Sequence, residues 1–238
     1  MNAQITIENL SKRFGQKQAL SHVNLTLHNG MFGLLGRNGA GKTTLMRILA
    51  TLLNKTEGKV TVCGIPVEQA AKVRDLVGYL PQDFDFYPNM TVYQAMDYLG
   101  VLSDVPKKIR RERIPTLLAQ VNLDDCRNLR VRTLSGGMRR RLGIAQAILH
   151  DPQVLIVDEP TAGLDPEERV RFRGLLCDIA KDRIVLLSTH IVEDIEKTCK
   201  NIAILNEGRL IYNGTLADYI GEEEGLEAAY MKKMGGLH

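Results

Sequence analysis

The chain has 238 residues, of which 44% are hydrophobic and 25% charged, the proportions of a water-soluble protein long enough to bury a proper core. Its formal net charge of +3 is too small to mark a nucleic-acid partner, and its four cysteines are scattered without a CxxC pair, as free thiols of a reducing cytosol would be. The opening MNAQITIENL lacks the basic flank and apolar core of a signal peptide, and the longest charge-free run, Gln18 to Gly36, is broken by Ser, His, Asn, Thr and Gly, so any membrane-spanning part is expected on another chain.

Gln4 to Glu8 and Val23 to Leu27 alternate apolar and polar residues, which predicts half-buried antiparallel strands. Met31 to Leu35 is a short apolar strand, and Thr43 to Leu53 reads as a helix. Lys59 to Cys63 adds a third strand to the small sheet, and Val77 to Leu80 is a core strand. Thr91 to Leu102, Lys107 to Val121 and Gly137 to Leu149 read as helices with no strand between them. Val154 to Val157, Ile184 to Leu187 and Ile202 to Leu205 return to core strands with helices between most of them, as a mainly parallel sheet requires. After Gly221 an acidic helical tail is expected over Glu222 to Met234, ended by Gly235 and Gly236.

The organisation expected is therefore α/β: a core with a mainly parallel sheet, a small antiparallel β subdomain and an inserted helical subdomain. The core takes residues 1–83 and 151–220, the helical subdomain 84–150 and the tail 221–238. Basic residues gather in the helical part, at Lys107, Lys108, Arg110, Arg111 and Arg113 and again at Arg139, Arg140 and Arg141. With no aromatics among them they read as solvated helix faces.

Three stretches and two single residues carry chemistry. Gly36-Arg37-Asn38-Gly39-Ala40-Gly41-Lys42-Thr43-Thr44 fits GxxxxGK[ST], the phosphate-binding loop of nucleotide hydrolases, in a strand-loop-helix context, so the expected core is a P-loop NTPase core. Glycines let such a backbone curl and aim N–H groups at phosphate, the helix N-terminus adds its dipole, Lys42 reaches the β- and γ-phosphates, and the Thr43 hydroxyl meets Mg²⁺. Leu134-Ser135-Gly136-Gly137-Met138 opens a second helix, with Ser135 as N-cap and the N–H groups of Gly136 and Gly137 as a second anion site. Asp158 and Glu159 end a buried parallel strand, where ligands of α/β sheets sit. Gln82 and His190 also lie just past strands. Each has a plainer reading when taken alone: a helix cap at Ser135, a surface carboxylate at Glu159, a structural histidine at His190, a polar loop residue at Gln82.

Together these residues resemble the ABC ATPases, the nucleotide-binding domains of ABC transporters, over nearly the whole chain and in the family's order. GLLGRNGAGKTTLMRILATLL, GYLPQDF and LSGGMRRRL resemble most the ATPase subunits of bacterial ABC-2-type exporters. The resemblance implies that Phe14 stacks adenine. Gly36, Asn38, Gly39, Ala40, Gly41, Lys42, Thr43 and Thr44 form the Walker A loop, Gln82 is the Q-loop glutamine, and Ser135, Gly136 and Gly137 belong to the signature motif. Asp158 is the Walker B aspartate, Glu159 the catalytic base, Asp165 the D-loop aspartate and His190 the switch histidine. ATP and Mg²⁺ are the implied cofactors, with Thr43, Gln82 and Asp158 on the metal. The chain departs from the pattern at Phe14 (commonly Tyr), Met138 (commonly Gln) and Arg37 (often Pro).

The same resemblance implies two chains sandwiching two ATP molecules head to tail, either as a homodimer or with a second ABC ATPase. It also implies a separate integral membrane permease that holds the pair on the cytoplasmic side of the membrane. Phe84, Phe86, Tyr87 and Met90 beside Gln82 either pack inward or meet that permease. A soluble ABC ATPase of cytosolic assembly or repair is the alternative. A P-loop kinase or GTPase would not explain LSGG, and no NKxD is present.

Overall fold

In the computed structural model, which describes residues 3–235, two long strands come first, β1 (Gln4–Phe14) and β2 (Lys17–His28), then β3 (Gly30–Leu35) and helix α1 (Lys42–Leu49). Strands β4 (Glu57–Val62) and β5 (Ile65–Pro66), helix α2 (Ala70–Arg74) and β6 (Val77–Leu80) follow. Helices α3 (Val92–Leu102), α4 (Lys107–Gln120) and α5 (Gly136–Ala147) occupy the stretch up to β7 (Val154–Asp158). The rest is α6 (Pro166–Ile179), β8 (Ile184–Ser188), α7 (Val192–Thr198), β9 (Asn201–Asn206), β10 (Arg209–Thr215), α8 (Leu216–Ile220) and α9 (Leu226–Gly235).

A six-stranded sheet in the order β10-β9-β3-β8-β7-β6 is parallel from β9 to β6, with β10 antiparallel at one edge. The antiparallel sheet β2-β1-β4-β5 covers one of its faces through α1. The unbroken apolar runs of β7 and β8 follow from burial on both faces. Alternation sends Leu155, Val157, Val185 and Leu187 into a core shared with the helices after β6, and Val154, Ile156, Ile184 and Leu186 into a second core with α1, β1 and β2. Met96, Ile114, Leu118 and Leu142 of α3 to α5 join the first core, so the helices of 84–150 rest on the sheet rather than on a core of their own.

Several element ends differ from the periodicity reading. β1 runs on to Phe14 and β2 begins at Lys17, because register shifts after Ile7 and Leu10 break the alternation that marks a strand. α1 stops at Leu49, four residues early: Thr51 turns left-handed at φ 58, and the N–H groups of Leu52 and Leu53 return to the Arg47 carbonyl at 2.8 and 3.2 Å. β10 was not foreseen, since its residues are half-buried or exposed throughout and no apolar face announces it. The tail helix, α9, begins at Leu226 and not at Glu222, Gly221 (φ 60) separates it from the unforeseen short helix α8, and the expected stop at Gly236 lies outside the described residues.

Close approach of α5 to the sheet depends on Gly78 of β6, where a Cβ would fall 2.1 Å from the Ala147 carbonyl oxygen. Gly174, inside α6, has open space around it. In chemical denaturation Gly78→Ala is expected to cost about 1–3 kcal/mol by overpacking, and Gly174→Ala to add about 0.4–1 kcal/mol by lowering unfolded-chain entropy. Equal effects of the two would contradict this packing.

Candidate active site

Beyond Leu35 the chain leaves the sheet through glycines in conformations other residues avoid: Gly36 at φ 156, Gly39 at φ 82 and Gly41 at φ 106. Space demands glycine as well, since a Cβ at Gly36 would meet the Leu205 carbonyl oxygen at 2.5 Å and one at Gly41 the Ala19 carbonyl oxygen at 2.7 Å. No side chain caps α1, so the amides at its start face outward as an anion site. They open on a cleft of about 340 Å³ that is lined by Phe14, Lys17, Ala19, Arg37 to Thr44, Gln82 and Glu159. Phe14 stands at the cleft with nearly half its surface exposed and Lys12 Nζ 4.9 Å from its ring centre.

Charge is concentrated at the floor. β7 and β8 end side by side, with Asp158 paired to Ser188 and the Glu159 N–H donating to the Ser188 carbonyl at 2.8 Å. Glu159 sits at φ 49, unusual for a residue with a side chain. Its Oε2 accepts from the His190 N–H at 3.2 Å and lies 2.7 Å from His190 Nδ1, while its Oε1 is 4.0 Å from Lys42 Nζ. Lys42 Nζ donates to the Gly36 carbonyl at 2.7 Å. Burial lowers the Lys42 pKa from the ordinary 10.5, although Glu159 and Asp158 both pull it upward.

Asp158 is 1% exposed, and neither of its carboxylate oxygens has a hydrogen-bond partner among the described residues, nor does the Ser188 hydroxyl. Buried lone pairs of this kind suit a cation, and an all-oxygen set of carboxylate, hydroxyl and amide suits the hard ion Mg²⁺. The described residues contain no cluster of three or more His, Cys, Asp or Glu that would hold a metal by itself.

The residues of the LSGG stretch are elsewhere. Ser135 caps α5, its Oγ accepting from the Met138 N–H at 3.1 Å, and Asp165 caps α6, accepting from the Glu168 N–H at 2.8 Å. Gly136 lies on a second cleft of about 390 Å³ with Gln82, Arg139, Arg140 and Gly163. Of the predicted site residues, then, the chain itself brings Phe14, the loop, Gln82, Asp158, Glu159 and His190 together, but not Ser135, Gly136, Gly137 or Asp165.

Sequence reasoning missed Lys17 and Ala19 of β2, which carry no motif, and misjudged the arginine run. Arg140 Nη1 donates to the Gln82 carbonyl at 2.8 Å and its guanidinium lies 5.5 Å from the Phe84 ring centre. Arg141 is buried and donates to the carbonyls of Val121 and Asn122 at 2.9 and 3.0 Å. Arg110 pairs with Asp97 at 2.7 Å and Arg113 donates to the Leu149 carbonyl at 3.1 Å. These four are tied into the fold, whereas Lys107, Lys108, Arg111 and Arg139 are exposed as expected. The aromatic group near Gln82 also divides: Phe84, Phe86 and Met90 pack against the core, whereas Tyr87 is 53% exposed, edge-on to Tyr98 with centroids 5.2 Å apart.

The family described as ABC transporter matches residues 20–162. A Nod factor export ATP-binding protein I of Cupriavidus pinatubonensis is 36% identical, over 95% of this chain and 71% of that protein. An uncharacterized ABC transporter ATP-binding protein of Bacillus subtilis, YxlF, is 37% identical over 90% of this chain and 72% of its own length. Among solved structures, an ATP-binding subunit of an ABC transporter superposes with a TM-score of 0.86 at 26% identity, covering 97% of this chain and 99% of the other. So does cbiO1 of Clostridium perfringens, part of the ABC transporter complex cbiONQ, with a TM-score of 0.85 at 26% identity over 98% and 97% of the two chains.

Gly41→Ala is expected to abolish binding of a fluorescent nucleoside triphosphate, because a methyl group there must displace β2 or unwind the first turn of α1. Retention of wild-type affinity, measured by anisotropy, would mean that this loop does not hold the phosphates.

Proposed function

This chain belongs to the ABC transporter family as an ATP-binding subunit with transport-coupled ATPase activity, and from that premise we propose how its residues bind and cleave ATP. The observation that carries the reading is the Glu159–His190 contact at the floor of the phosphate-loop cleft, within 4.0 Å of Lys42 Nζ.

Phe14 stacks the adenine, and the amides of Gly39 to Thr44 hold the β- and γ-phosphates at the start of α1. Lys42 exchanges the Gly36 carbonyl for phosphate oxygens and neutralises part of their charge. Mg²⁺ would be held by Thr43, Asp158 and Gln82, and when bound it supplies further positive charge at the phosphates. Glu159 orients the attacking water and takes its proton, its carboxylate aimed by two contacts from His190. His190 is 61% exposed at the cleft and can turn its outer ring nitrogen to the γ-phosphate. Gln82 reaches the cleft from the end of β6 and reports its state to α5 through Arg140.

Ser135, Gly136, Gly137 and Asp165 have no place in this cleft, and on this reading they complete the site of a second copy or of a second ABC ATPase. The two chains close on two ATP molecules and open after hydrolysis. A separate permease receives that motion at the surface formed by Tyr87 with Tyr98, Val101 and Leu102 of α3, and holds the subunit at the cytoplasmic side of the membrane. No helix among the described residues is long and apolar enough to cross a membrane. The motif stretches that resemble ABC-2-type subunits, and the export named for the Cupriavidus relative, support an exporter.

Glu159→Gln keeps the side-chain shape and removes the base. It should lower turnover by on the order of 10²–10⁴ while leaving ATP affinity largely intact, and an ATP-bound dimer should accumulate in size-exclusion chromatography. Hydrolysis at the wild-type rate would remove Glu159 from the mechanism. Lys42→Ala and Ser135→Ala should each abolish turnover alone. Mixed, they should recover activity, because one of the two sites of a mixed dimer pairs an intact Lys42 with an intact Ser135. No recovery on mixing, with dimers demonstrated, contradicts the shared site.

A further inference from the structure

The mechanism leaves the buried carboxylate of Asp194 unused. Two residues beyond Glu159, the Thr161 hydroxyl is buried and donates to Asp194 Oδ2 at 2.5 Å. Asp194 is 0% exposed and lies in the first turn of α7, four residues beyond His190. Its Oδ1 accepts from Arg173 Nη1 of α6 at 3.1 Å, and the Thr198 hydroxyl bonds its backbone carbonyl. None of these groups lines the nucleotide cleft. They join the two segments that meet at the reacting end: 159–161 and 190–194 are tied in front by Glu159–His190 and behind by Thr161–Asp194.

The rear tie answers a need of the front one. Glu159 holds a left-handed backbone at φ 49, a conformation that a residue with a side chain keeps only where its surroundings over-determine it. On one side the Glu159 N–H is pinned to the Ser188 carbonyl at 2.8 Å. On the other, the turn closes on itself through the Ala162 N–H to the Glu159 carbonyl at 3.4 Å and the Leu164 N–H to the Thr161 carbonyl at 3.1 Å, and the Thr161 side chain anchors it to α7. A carboxylate makes that anchor strong, since hydrogen bonds to an ionised acceptor are about twice as strong as neutral ones. Arg173 supplies the countercharge without which a buried carboxylate would be costly.

We propose that Asp194 is a positioning residue for ATP hydrolysis, holding Glu159 and His190 in register through Thr161 while Arg173 balances its charge. The proposal rests on Glu159 being the general base.

The test compares kcat, KM and melting temperature of the wild type with Asp194→Asn, Thr161→Val, Thr161→Ser and Glu159→Gln, together with affinity for a fluorescent ATP analogue. Asp194→Asn is expected to lower kcat about ten- to a hundred-fold, the loss that a displacement of about 1 Å at a reacting group brings, with nucleotide affinity within about three-fold. Thr161→Val, which deletes the donor, should lower kcat in the same direction, and Thr161→Ser, which keeps it, should restore kcat. A merely structural role would lower nucleotide affinity and melting temperature together with kcat, in Thr161→Val as in Asp194→Asn. Equal kcat for Thr161→Val and Thr161→Ser overturns the proposal, and so does a folded Asp194→Asn at the wild-type kcat. If Asp194→Asn does not fold, the Thr161 pair decides alone. An active Glu159→Gln would sink the base assignment and this proposal together, whereas an inactive Glu159→Gln beside a fully active Thr161→Val sinks this proposal only.

Discussion

Three charged side chains buried at the end of β7 are what the rest of the site is arranged around. Lys42, Asp158 and Glu159 are all less than a tenth exposed, and a single cation faces two carboxylates. Burial of this kind is unfavourable unless every charge is met. Lys42 is met by Glu159 and the Gly36 carbonyl, and Glu159 by His190, but the Asp158 oxygens have no hydrogen-bond partner among the described residues. The remaining demand is for positive charge at Asp158 and for phosphate at the outward-facing amides of α1. A triphosphate with a divalent cation meets both.

The sheet delivers these groups because ligand sites of parallel sheets form past the carboxyl ends of the strands. β3, β8, β7 and β6 are consecutive neighbours, and their ends supply the phosphate loop, His190, the Asp158–Glu159 pair and Gln82. Registers in the sheet set the spacing: Leu34 and Asp158 both pair with Ser188 on β8, so the loop and the carboxylates emerge at one level. Backbone pairing in a doubly buried sheet thus does the coarse positioning. The Glu159–His190 contact and the buried Thr161–Asp194–Arg173 cluster refine it.

Local patterns were the legible part of this chain. Gly36 to Thr44, Leu134 to Met138 and Val154 to Glu159 each encode their own backbone, so motif and periodicity placed the right groups at strand ends and helix starts. Partners distant in sequence were not legible. Nothing near Thr161 announces a bond to a residue 33 positions on, nor does the Arg139 to Arg141 run distinguish the Arg140 that holds the Gln82 carbonyl, 58 positions back, from a solvated neighbour. Strands β1 and β10 were under-read for a related reason. Bulges in β1 and the exposed edge position of β10 remove the alternation that sequence reasoning depends on.

The separation of the Lys42 cleft from Ser135 and Asp165 makes the chain half of a catalytic unit on the proposed reading. ATP hydrolysis in a site shared by two chains is the central claim, and the dependence of rate on chain concentration tests it most directly. With saturating ATP and sedimentation run in parallel, turnover per chain should rise with concentration and level off as dimer forms. A chain that sediments as a monomer throughout and hydrolyses ATP at a constant rate per chain would contradict the account.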